Sequence, residues 1–158
     1  MTTLFLTTTL LIGLSAAQHQ GHHPDDLTRR GDAVMGFAHE RTTHHFRLRA
    51  SGGEIEITAT DPHDEESASA IRGHLRHVAR MFADGDFTAP VLIHAQDPPG
   101  TDVMSARRAV IAYAVENVPG GARLRITASD RDALEAVHRF LRFQISDHGT
   151  GDPLTIQK

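Results

Sequence analysis

Residues 52–61 read GGEIEITATD, and residues 121–130 read GARLRITASD. The two stretches match position by position. A glycine opens each, apolar side chains then alternate with charged ones, and a run of small residues closes on an aspartate. In the first copy Ile55 and Ile57 alternate with Glu54 and Glu56; in the second, Leu124 and Ile126 alternate with Arg123 and Arg125. A period of two sends successive side chains to opposite faces, so each stretch is a half-buried β-strand. The residue-level match predicts an internal duplication.

Working outward, residues 43–50 also alternate. His44, Phe46, Leu48 and Ala50 point one way, and His45, Arg47 and Arg49 the other. With Ser51-Gly52-Gly53 as the turn, this strand forms a hairpin with residues 54–60. A helix is expected after Asp61, because Pro62 and the acidic Asp64, Glu65 and Glu66 suit a helix start. Ile71, His74, Leu75, Val78, Met81 and Phe82 then recur at helical spacing up to Gly85, a C-terminal cap.

The second copy repeats this order. Residues 109–115 form a strand, Pro119-Gly120-Gly121 the turn, and residues 123–128 the partner strand. A helix follows Asp130 through Leu134, Val137, His138, Leu141 and Ile145 to Gly149. His74 falls over His138 and Gly85 over Gly149. The predicted fold is α+β: a tandem ββα repeat (residues 43–86 and 109–152) forming a four-stranded antiparallel sheet with two helices on one face. The other face carries Arg47, Arg49, Glu54, Glu56, Arg123 and Arg125, and is either solvated or covered in a homodimer. Residues 90–96 (PVLIHAQ) read as an edge strand or a connector that places His94 near the junction of the repeats.

Ahead of the repeats, residues 4–14 are apolar apart from threonines, and Ser15-Ala16-Ala17 supplies the small residues of a cleavage site. Residues 1–17 therefore read as a signal peptide, 18–30 as a flexible polar lead-in and 31–158 as one domain. The expected location is the periplasm or the medium. The stretch is too short to span a bilayer stably, and no later segment could do so. The chain has no cysteine, which excludes thiolate zinc sites, iron–sulfur clusters and covalently attached haem of the CxxCH type. The net charge is −4 with both signs interspersed, so no nucleic-acid footprint is visible.

The strongest compositional deviation is histidine, 12 of 158 residues. His74, His77 and Met81 lie along one helix face at i, i+3 and i+7. His44 faces the same interior from the first strand, and His94 can reach it from the connector. Imidazole with thioether suits copper, and imidazole alone suits zinc. The leading expectation is an exported metal-binding protein, copper before zinc, with the ion between the first helix and the first strand. His44, His74 and His77 would be imidazole ligands, Met81 a soft ligand and His94 the closing ligand. A module for haem or a small apolar ligand, seated between sheet and helices, is the alternative. A non-catalytic protein-interaction module is the third reading.

No complete catalytic signature is present. There is no GxSxG elbow and no HExxH, and no Ser–His–Asp triad can be assembled from scattered residues. Asp84, Asp86 and His148 fall at equivalent helix ends, where a histidine beside a carboxylate could move a proton. The run His148-Gly149-Thr150-Gly151-Asp152-Pro153 follows a helix, so it reads as a cap and turn rather than an anion cradle. The amino-terminal QHQGHH run reads as a polar leader.

The string MGF, TTHHF, HLRH, LIHAQ, PPG, FLRF and HGTG, spread over residues 31–153, resembles a family of small exported bacterial proteins of unassigned biochemical function. The resemblance implies export and one intact fold, and brings no catalytic residue. Some members of that family carry the label aspartate carbamoyltransferase. This sequence has no phosphate-binding loop or carbamoyl-phosphate pocket of that enzyme, and its mature length is too short for two such domains.

Overall fold

The computed structural model describes residues 24–158. The predicted signal peptide and the first part of the polar leader, with His19, His22 and His23, lie outside the described residues. The alternating stretches form β1 (Thr42–Arg49), β2 (Gly52–Ala59), β3 (Ile111–Val118) and β4 (Gly121–Ala128), and all neighbours pair antiparallel in the order β1-β2-β4-β3. Each repeat contributes a hairpin, and the second strands of the two hairpins meet at the centre of the sheet.

That central pairing gives the repeated glycines their physical meaning. Ala50-Ser51 and Pro119-Gly120 make the hairpin turns, while Gly52 and Gly121 already belong to strands. A Cβ on Gly52 would lie 2.0 Å from the Ile126 carbonyl oxygen, and one on Gly121 would lie 2.0 Å from that of Ile57. Each glycine therefore permits the close approach of the other repeat's inner strand.

The second long helix starts directly after Asp130, as expected, and the first starts at Glu65, capped by Asp64 rather than following Asp61 directly. The Asp64 carboxylate accepts from Ser67 N–H at the start of α2 (Glu65–Ala83), and Asp130 does the same from Ala133 N–H for the helix Arg131–His148. Both bonds are 3.0 Å and satisfy donors that a helix N-terminus otherwise leaves unpaired. Gly149, at φ 61°, closes the second helix by donating its N–H to Ile145 O. Both helices pack on the face presented by Phe46, Leu48, Ile55, Ile57, Leu124 and Ile126, which they bury. They cross over, however. Helix α2 lies over β4 and β3, and the second helix lies over β1. Each repeat's helix thus covers the other repeat's outer strand.

Three shorter helices correct the sequence expectation. The lead-in is helical from its middle onward, as α1 (Pro24–Met35), because Val34 and Met35 find apolar cover. The segment expected as an edge strand or connector over residues 90–96 is instead α3 (Thr88–His94). It buries Ala89, Pro90, Ile93 and His94, a helical rather than an alternating pattern. Residues after the PPG run form α4 (Thr101–Ala106), so the last helix in the chain is α5. Ala95 ends α3 in the left-handed region at φ 53°, a conformation that costs any residue with a Cβ.

On the outer sheet face the charges pair with one another. Glu56 accepts from Arg47 and Arg123, Glu54 from Arg49, and Glu116 from Arg123 and Arg125. The outer edge of β1 is covered by the chain's own end. Asp152 accepts from Phe46 N–H at 2.9 Å and from His45 Nδ1–H at 3.0 Å, and Gln157 N–H donates to Leu48 O at 2.8 Å. Among the described residues no helix is long and apolar enough to cross a membrane.

Candidate functional site

The crossing of the helices decides what faces His44. It stands on β1 with its side chain turned to the helix layer, 8% exposed. Because α5 and not α2 covers β1, the group opposite is His148, the last residue of α5. Their rings stack at a centroid distance of 5.7 Å and 12° between planes. His39, in the turn before β1, stacks on the other side of His44 at 4.7 Å and lies 5.8 Å from His148. His94, at the end of α3 and 1% exposed, meets His148 edge-on at 5.1 Å. Four imidazoles from four parts of the chain therefore form one cluster.

The cluster borders a cavity of about 60 Å³ between the sheet, α2, α3 and α5. Its wall is apolar apart from His44, His74, His94, His148 and Gln144, with Met35, Phe46, Ile93 and Phe140 among the rest. Space of that size holds a few waters at most. Among the described residues no Asp, Glu, Lys or Arg side chain lines it.

Burial sets the protonation of these rings. Loss of solvent holds the His44 imidazole down to about 3, with His39, His74 and His45 adding like-charge repulsion. The same cause, with His44, His94 and His39 adding to it against a small opposing pull from Asp147, holds His148 at about 3. His74 is held at about 4 by burial and then by His77. All three are neutral at pH 7, the form that donates a nitrogen lone pair.

Hydrogen bonding separates the members. His94 Nδ1–H donates to the Asp147 carboxylate at 2.5 Å, and its Nε2 faces the Gln144 side-chain oxygen Oε1, an acceptor, at 3.0 Å, so both of its ring nitrogens are engaged. Both ring nitrogens of His44, Nδ1 of His148 and one amide nitrogen of Gln144 are buried, and none bonds another protein group. Buried polar atoms left in that condition are rare, because each forgoes its hydration with nothing in return. Three such residues on one cavity are a feature to be explained.

Of the ligand set expected from sequence, the structure brings together His44, His74 and His94. His77 is exposed on the outer side of α2, and Met81 is half-buried against the core without reaching the cavity. The cavity that these three line lies between the sheet, α2, α3 and the end of α5. In the sequence Met35 carries no role beyond the MGF motif and His39 none, and His148 stands only at a cap or as a proton carrier beside Asp84 and Asp86. Gly149 carries the cap, and the His148 side chain enters the cluster. Asp86 is occupied by the Thr88 N–H and hydroxyl at 2.8 and 2.6 Å, a local turn. His138, aligned with His74, donates Nε2–H to Arg49 O and Gly52 O at 2.9 and 3.0 Å and pins the first hairpin turn.

The duplication makes the site one-sided. At the place in β3 that corresponds to His44 stands Tyr113, whose ring packs on Phe82 at 5.9 Å. The second half of the pseudo-symmetric core is thus closed with aromatics, and the first half holds imidazoles. Among the described residues no three His, Asp or Glu groups already converge on one point. The rings of His39, His44 and His148 lie face to face, so their lone pairs run in nearly parallel planes, and His94 stands across them.

Fold and site together define a small α+β protein with a tandem ββα core and one desolvated histidine-lined cavity. No protein-family model, curated protein or solved structure matches the chain.

Proposed function

We propose that this chain is an exported protein that binds a transition-metal ion, copper or zinc, at the histidine-lined cavity. The observation that carries the reading is the set of buried, neutral imidazole nitrogens of His44 and His148 that bond no other protein group. A metal ion is the partner that two neighbouring neutral imidazoles can share, since neither needs to lose a proton to bind it. His94, with Nδ1 on Asp147 and Nε2 on Gln144 Oε1, fixes the edge of the cluster and leaves His44 and His148 to supply the nitrogens that bond no other protein group. His39 and His74 stand at the margins as further nitrogen donors. Loading requires His44 or His148 to turn out of the stack, a side-chain rotation within a cavity that has room for it. Haem is the weaker alternative on size, because pockets for ligands of that class begin at about 300 Å³.

The test is elemental analysis of mature protein purified without a histidine tag or chelator. We expect near one equivalent of copper or zinc. His44→Phe and His148→Phe, which keep the packing volume, should each lose it, while His77→Ala should retain it. Metal-free protein that gains no thermal stability from either added ion would reject the reading.

A further inference from the structure

Resting on that reading, we infer that the ion the cavity selects is monovalent copper, held by His44, His148 and the Met35 thioether. Two independent features lead there. The first is donor type. Met35 is buried at the end of α1 and lines the same cavity as His44, His94 and His148. A thioether adds little to the binding of a hard or borderline divalent ion, but together with imidazole it favours copper(I).

The second is charge. The cavity wall is apolar and its five polar residues are four histidines and a glutamine. The carboxylates that touch the cluster, Asp147 on His94 and Asp32 on the His39 backbone N–H, are both absent from the cavity wall. A monovalent ion brings one charge into that wall. A divalent ion brings two, and its desolvation without a carboxylate ligand is the more costly. Donor softness and charge therefore favour the same ion, although neither depends on the other. Asp147 acts through His94, so it is a positioning residue rather than a ligand.

The experiment is a pair of competition titrations on the full mature chain. Copper(I) is presented as its bicinchoninate complex under reductant, and zinc(II) against nitrilotriacetate. The expected result is one equivalent of copper(I) bound at least 100-fold more tightly than zinc(II). Met35→Leu, which keeps the volume and removes the sulfur, should lower copper(I) affinity at least tenfold and leave that for zinc(II) unchanged. Asp147→Asn should weaken copper(I) binding in the same assay, and circular dichroism checks that each variant is folded. Zinc(II) bound as tightly as copper(I), with Met35→Leu without effect, would overturn this inference and leave the metal-binding reading standing. Failure to bind either ion would overturn both.

Discussion

At the scale of single residues, the buried histidines tie the site to stability. His44, His148 and His74 have ordinary imidazole values of 6.5 when unfolded and about 3, 3 and 4 when folded. A group whose value falls on folding contributes stability that is complete above its unfolded value and is lost as the pH drops below it. The metal-free protein should therefore weaken from about pH 6.5 downward, toward the folded values. Between pH 7.5 and 5.5 each ring should cost about 1 kcal/mol, because the unfolded chain takes up a proton that the folded chain refuses. Urea unfolding in chelator at the two pH values measures this, and His74→Leu should remove part of the difference. An unchanged midpoint across that range would mean the rings are hydrated and charged in the folded state. The excess of histidine was legible in the sequence, as were an inward-facing His44 and the expectation that His74 and His94 reach the same interior. The joining of His39 and His148 to them was not, since neither stands in a spacing motif with His44.

At the scale of elements, the central strand pair is the joint on which the duplication depends. Gly52 and Gly121 each face a backbone carbonyl at a distance that no Cβ can occupy. Gly52→Ala and Gly121→Ala should each destabilise by about 3 kcal/mol or more, because the obstacle is backbone and cannot move aside as a flexible side chain would. Chemical denaturation of the two variants checks the magnitude. Similar losses would show that the repeats use their glycines equivalently, and a neutral result at either would refute the close-approach account. Both glycines stood out in the sequence as turn signals. They are strand residues instead, since a glycine that allows chain reversal and one that allows close approach look alike until the partner strand is known. The same ambiguity hid α3. PVLIHAQ is a short apolar run, and such runs do not reveal their period until burial selects it.

At the scale of the whole molecule, the carboxyl-terminal residues act as a strap across the β1 edge and hold the end of α5 beside it. Thr150 and Asp152 bond each other, Asp152 holds the Phe46 amide and His45, and Gln157 pairs with Leu48. Burial by itself would raise the Asp152 carboxyl, but its donors, the Phe46 amide first, hold it below the usual carboxylate range. An uncovered edge strand is a template for association with another chain. Asp152→Ala should speed hydrogen exchange at the Phe46 amide by about tenfold, corresponding to about 1.4 kcal/mol. It should also favour concentration-dependent self-association. Exchange unchanged at that amide would mean that the edge is held by other contacts.

By itself the sequence determined the hairpins, the two long helices and the tandem ββα plan. Those features are written in local periodicity and capping chemistry, which act over a few residues. Only the tertiary structure decided which helix covers which strand. That choice rests on how two amphipathic helices and a twisted sheet bury the most apolar area together, a property of the whole core rather than of any segment. The site followed from it. Had α2 covered β1, His44 would have met the residues of its own repeat. With α5 across it, His44 meets His148, with His39 and His94 beside them.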